Sequence, residues 1–193
     1  MPHHHFIIHK PYGYLSQFVN NQNRRRNKKL LGELYDFPQG IMAIGRLDEK
    51  SEGLLLLTTD GKMSEQMRSR KIEKEYYAQV DGIISSEAIS KLQGGIEISL
   101  EHGTYKTLAS KAHRLVPPPV ITQRIKKVRD DRHGPTSWIS ITLREGKFRQ
   151  VRKMTAAVGY PTLRLIRIRI GNIHLNDLEP GEVIEVEDFS IAE

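Results

Sequence analysis

The sequence contains no cysteine, which removes disulfides, thiolate metal sites and cysteine nucleophiles and leaves the chain compatible with a reducing compartment. It has no apolar run near the ~20 residues that a membrane-spanning helix needs, and Met1 to Ile8 holds no secretory apolar region. Both absences point to a cytoplasmic protein without a membrane partner. Acidic residues are in the minority. Thirty Lys and Arg against 23 Asp and Glu give a formal net charge of +7, a bias toward polyanions that names none of them. His3, His4 and His5 have no carboxylate or cysteine companions nearby and so do not make a metal site. Hydrophobic residues at 38% and charged residues at 27% are ordinary for a folded domain. The 193 residues suit a single domain, residues 1–193, built as two lobes sharing one core.

Periodicity places the elements. Phe6 to His9 is a short apolar run halted by Lys10-Pro11-Tyr12-Gly13, a strand entering a turn. From Gln17 the chain turns polar and then basic, with Arg24, Arg25, Arg26, Lys28 and Lys29 in six positions, as in an exposed arm. Ile41 to Ile44 is a predicted strand, Gly45 to Gly53 a loop, and Leu54 to Thr58 a strand whose unbroken apolar run leaves no wet face. Met63 and Met67, four apart after Asp60-Gly61, predict a helix. Lys74 to Val80 alternates, with Tyr76, Ala78 and Val80 on one face and Tyr77 and Gln79 on the other. Ser85 or Ser86 caps a helix carrying Ile89 and Leu92, which Gly94-Gly95 ends.

Pro117 to Pro119 interrupt the chain, and Val120 to Pro135 is a surface excursion by composition. Trp138 leads a strand in which Ile139, Ile141 and Leu143 alternate with Ser140 and Thr142. After the Glu145-Gly146 turn, Val151, Met154 and Val158 share a helical face that Gly159 and Pro161 terminate. Ile166, Ile168 and Ile170 then alternate with Arg167 and Arg169, apolar groups on one face and guanidinium groups on the other. Strands interleaved with short helices indicate an α+β fold, a mixed and mostly antiparallel sheet with flanking helices.

Charge is concentrated along the chain. Between Arg124 and Lys153 there are ten basic residues and three acidic ones, a local excess equal to that of the whole protein, and a phosphate-tracking surface is the natural reading beside a merely solvated face. The more specific signal is Gly45-Arg46-Leu47-Asp48, followed by Ser51, Gly53, the Leu54 to Leu57 run and Thr58-Thr59-Asp60-Gly61. In an extended segment Arg46 and Asp48 leave the same face while Leu47 anchors the other. A carboxylate kept ionised by a neighbouring guanidinium suits a nucleophile or, equally, a structural ion pair.

The Gly-Arg-Leu-Asp run resembles the signature of pseudouridine synthases, in the branch that modifies ribosomal RNA and includes the small-subunit enzyme A. Lys10-Pro11-Tyr12-Gly13-Tyr14-Leu15-Ser16 is similar to the family's opening motif, Lys74-Glu75-Tyr76 to its Lys-x-Tyr motif, and Glu145 to Met154 to its late basic motif. Leu165, Arg167, Ile170 and Gly171 fit the strand that follows. The segments Tyr14 to Phe18, Gly134 to Trp138 and Met154 to Leu165 resemble the large-subunit enzyme of E type in particular.

That resemblance implies a pseudouridine synthase fold with a central RNA-binding cleft, acting on ribosomal RNA, most naturally of the large subunit, as a monomer with no metal and no cofactor. Asp48 would be the catalytic aspartate and Arg46 would enter the RNA helix to help displace the target base. Tyr76 would stack on the flipped uracil, Arg152 would pair with Asp48, Lys74 would support the pocket, and Arg149 would join them as a substrate contact. Base flipping makes physical sense, since a uridine inside a helix hides its glycosidic bond. Many relatives carry a small RNA-binding module before the catalytic region, and Lys10-Pro11 stands too early here for one. Lys147 and Phe148 match no family role. Two other readings compete: a noncatalytic RNA-binding or ribosome-assembly protein on the same fold, and a metal-dependent nuclease using Asp48, Asp60 and a histidine, for which the sequence offers no close histidine and carboxylate cluster at ligand spacing.

Overall fold

In a computed structural model of the chain, residues 2–19, 27–69, 71–124, 126–129 and 131–189 are described. Arg24, Arg25 and Arg26 of the expected basic arm lie outside the described residues, as does Asp130. The chain forms two compact units, residues 1–72 with 166–193, and residues 73–165.

The first unit opens with β1 (His5–Lys10), β2 (Tyr14–Leu15), β3 (Lys29–Leu30), β4 (Met42–Ala43), β5 (Glu52–Thr58) and α1 (Gly61–Arg68). The second holds β6 (Lys74–Asp81), α2 (Ser86–Gly94), β7 (Glu97–Leu100), β8 (Gly103–Lys106), β9 (Lys111–Leu115), β10 (Thr136–Leu143) and α3 (Gln150–Ala157). The chain then runs through β11 (Thr162–Ile170), which crosses the boundary between the units, and returns to the first for β12 (Ile173–His174) and β13 (Val183–Val186).

In the first unit β5 is the centre. It pairs antiparallel with β1 from Gly53 to Thr58, antiparallel with β4 at Leu57 and Thr58, and parallel with β11 at Glu52 and Gly53. All seven of its residues are buried. A strand with neighbours on both edges and apolar cover has no use for polar alternation, which is why its sequence reads Leu54-Leu55-Leu56-Leu57. The strand begins two residues before its apolar run, because Glu52 already pairs with Ile166. Leu55 and Leu57 share one cluster with Phe6, Ile8 and Leu31, and Phe6 meets Phe37 edge to face at 5.3 Å. α1 starts where Asp60 accepts a hydrogen bond from the Lys62 N–H, and it buries Met67 as its spacing predicts.

In the second unit β10 is central, antiparallel to β6 on one side and β9 on the other. Ala78, Val80, Ile139 and Ile141 fill one face together with Leu92 of α2 and Val151 and Met154 of α3. Ser85 caps α2 by accepting from the Ala88 N–H, one of the two serines proposed for that role. β10 begins at Thr136, earlier than its apolar alternation. Trp138 is half-buried on the face of Ser140 and Thr142, opposite Ile139 and Ile141, so it stands outside that apolar cluster. β7 and β8 form a separate antiparallel hairpin.

Candidate active site

Two segments of the first unit build the surroundings of Asp48. The first is the turn that leaves β1, Lys10 to Ser16, and the second is the loop from Gly45 that enters β5. They are stitched together on both sides of Asp48. The Ser16 hydroxyl donates to the Leu47 carbonyl at 2.8 Å and accepts from the Leu47 N–H at 2.9 Å. The Gly13 N–H donates to the Glu49 carbonyl at 2.8 Å, and the Ser51 N–H closes the loop on the Asp48 carbonyl at 2.9 Å. Residue 48 is thereby fixed through its backbone, which leaves the carboxylate to face other groups. Leu47 is buried, Arg46 exposed and Asp48 half-buried, the alternation expected of an extended segment. Lys28 adds an ion pair to Glu49.

Beneath the loop lies a set of buried charges. Lys10 is wholly buried, and its ammonium donates to the carbonyls of Pro11 at 2.9 Å and Tyr14 at 2.8 Å. Glu52 and Arg167 are buried as well, and the Arg167 Nε–H donates to the Leu54 carbonyl at 2.8 Å. The face of guanidinium groups expected on β11 is therefore not a wet one at Arg167, because that residue sits in register with Gly53 of the buried β5. Burial lowers the Lys10 pKa to about 7, against the opposing pull of Glu52, Asp48 and Glu49, and with a further push from Arg167. A charge taken out of water is disfavoured unless opposite charges compensate it.

A pH dependence follows. Unfolded Lys10 keeps its proton up to its ordinary value of 10.5, while the folded lysine releases it near 7. Between those values the unfolded chain binds more protons, so this group makes stability rise with pH, at up to about 1.4 kcal/mol per unit. Below the folded value both states are protonated and the contribution is flat at its least favourable. Chemical denaturation of the wild type and Lys10→Met, from about pH 6 to about pH 10, is expected to show the wild type gaining on the variant across that window. Parallel curves would show that Lys10 holds its proton as an exposed lysine does.

The other proposed site residues belong to the second unit. Lys74 and Tyr76 leave one face of β6, in register with Leu143 and Ile141 of β10, and Tyr76 packs against the apolar cluster. Arg149 is the exposed residue capping α3, in a left-handed conformation with φ 53°. Arg152, in the first turn of α3, is half-buried and donates to the Thr162 carbonyl at 3.3 Å. Sequence reasoning quoted Lys10, Ser16 and Arg167 within motifs without giving them a local role. Ser16 and Arg167 act on segments far apart in the chain, at Leu47 and Leu54, while Lys10 secures its own turn at Pro11 and Tyr14. Among the described residues no group of three or more His, Cys, Asp or Glu side chains is placed to hold a metal ion, and no helix is long and apolar enough to cross a membrane.

Comparison with known proteins adds an independent observation. The model of one family, RNA pseudouridylate synthase, matches residues 4–157. The ribosomal large subunit pseudouridine synthase E of Vibrio parahaemolyticus is 41% identical over 183 residues, covering 94% of this chain and 73% of that one. The protein of the same name from Xanthomonas axonopodis pv. citri is 39% identical over 176 residues, covering 90% and 89%. A ribosomal large subunit pseudouridine synthase B from Bacillus subtilis is 35% identical, covering 96% and 69%. A crystal structure of a pseudouridylate synthase superposes with a TM-score of 0.74 at 26% identity, covering 95% of this chain and 70% of that one. The Vibrio, Xanthomonas and Bacillus relatives carry large-subunit names, and the reference to the small-subunit enzyme A gains no support from them.

Proposed function

The chain belongs to the RNA pseudouridylate synthase family and is an RNA pseudouridine synthase, and from that premise we propose that it isomerises one uridine of large-subunit ribosomal RNA. Supporting this choice of RNA are the names of relatives about 40% identical over most of the chain and the excess of Lys and Arg, which favours a polyanionic partner. The setting is the cytoplasm and the acting form a monomer.

In the reaction the bond from C1′ of the ribose to N1 of uracil breaks, the retained base turns, and a new bond joins C1′ to C5. One proton leaves C5 and one is gained at N1, so atoms and electrons balance with no further reactant. Asp48 is the catalytic carboxylate that assists the cleavage. Arg46 takes the place of the displaced base in the RNA helix, and Tyr76 stacks on the extruded uracil. Lys74 supports the pocket, and Arg149 and Arg152 contact the substrate. The observation that carries the Asp48 assignment is its backbone fixation at Leu47 and Glu49 by the Lys10 to Ser16 turn, since a group aimed at one atom must sit on a rigid support.

The test is to map pseudouridine in ribosomal RNA from cells with and without the gene, and to treat the deficient RNA with purified protein. One mark in large-subunit RNA is expected to vanish with the gene and return with the protein. A complete set of marks in the deficient cells would refute the reading.

A further inference from the structure

Phe148 is 72% exposed on the loop between β10 and α3. A lone exposed phenylalanine needs no explanation on most surfaces. This one differs in the loop that carries it. Glu145 is buried and accepts from the Tyr105 hydroxyl at 2.6 Å, the Leu108 N–H at 2.9 Å and the Gln150 amide at 2.7 Å. Burial pushes its carboxyl up, yet those donors hold it below the usual range. The Gln150 side chain in turn accepts from the Lys147 N–H at 2.9 Å, and the Gln150 N–H donates to the Lys147 carbonyl at 3.0 Å. Both ends of the turn are thus pinned by buried polar groups, and Arg149 completes it in a backbone conformation that non-glycine residues avoid.

Such a loop displays its apex rigidly, and the apex is an aromatic ring among cations. The Lys153 ammonium lies 5.4 Å from the centroid of the Phe148 ring and is held by the Ser99 carbonyl at 2.6 Å. Lys147 lies over the Tyr105 ring at 4.6 Å, and Arg149 is exposed. An exposed flat apolar face amid positive charge fits a partner that has both flat faces and negative charge, which is an unpaired nucleotide. An apolar protein segment fits it poorly, since it would have to strip water from three cations with nothing to offer them.

We propose that Phe148 is a stacking platform for an unpaired base of the RNA, with Lys147, Arg149 and Lys153 around it to meet the adjoining phosphates. This rests on the RNA substrate proposed above and adds a contact outside the Asp48 loop. Binding of an unmodified large-subunit RNA fragment to the full chain and to Phe148→Ala, Phe148→Leu, Phe148→Tyr and Phe148→Trp tests it. Phe148→Ala is expected to weaken affinity about tenfold, Phe148→Leu to remain weak, and the tyrosine and tryptophan variants to restore it. Equal affinity for wild type and Phe148→Ala, or full rescue by leucine, overturns the platform. The first outcome beside wild-type turnover on that RNA leaves the proposed function standing, whereas a wild type that neither binds nor modifies the RNA removes both.

Discussion

Asp48→Asn is expected to lower pseudouridine formation by about a thousandfold or more, equivalent to about 4 kcal/mol of transition-state stabilisation, while the variant still binds RNA. The substitution keeps the shape of the side chain while removing its charge and turning one acceptor oxygen into an N–H donor. Backbone bonds fix the loop on both sides of the carboxylate in question: Ser16 holds Leu47, Gly13 holds Glu49, and Ser51 binds the carbonyl of residue 48. Lost turnover with retained binding would therefore report on chemistry. Single-turnover assays with enzyme in excess of RNA separate the two quantities. Turnover within a few fold of wild type would instead favour the noncatalytic alternative for this carboxylate.

The second large effect is on stability, at Gly53. This residue has φ 104°, and a Cβ placed there would lie 2.3 Å from the Arg167 carbonyl oxygen and 2.7 Å from the Arg167 nitrogen. Those are backbone atoms of the parallel neighbour β11, paired with Gly53 in the ladder, so no side-chain rotation relieves the clash. Gly53→Ala is expected to cost about 3 kcal/mol or more, lowering the melting temperature by roughly 6–12 °C for a chain of this size. Gly45 serves as the comparison. Its φ is 72°, but a Cβ there meets nothing within 4 Å, so Gly45→Ala should cost only the left-handed penalty of about 1–2 kcal/mol. Melting both variants beside the wild type checks the difference, and equal losses would show that close approach to β11 is not what requires glycine at 53.

Gly53 also shows how far the sequence carries the reader. Its place in the motif after Asp48 is visible in one dimension, yet the reason for it is the backbone of a residue 114 positions later, Arg167. Lys10 is similar: the letters place a lysine before a proline, and only the fold buries it beside the charges of Glu52 and Asp48. The hairpin of β7 and β8 and the short strands β9, β12 and β13 left no assignable pattern. Each has two to five residues and at most one of them buried, too few for an alternation to register.

What the chain determined by itself were the elements with repeated apolar spacing. Those are the unbroken run of β5, the alternation in β6 and β10, the helical face of α3, and the ordered motifs that mark the family. Each is written locally, because side-chain direction repeats every two residues in a strand and every 3.6 in a helix. The tertiary structure alone decided which charges are buried, which carbonyls hold them, and how the Lys10 to Ser16 turn grips the loop of Asp48. Those outcomes depend on segments that meet only after folding, and burial is a property of the neighbours a residue acquires there.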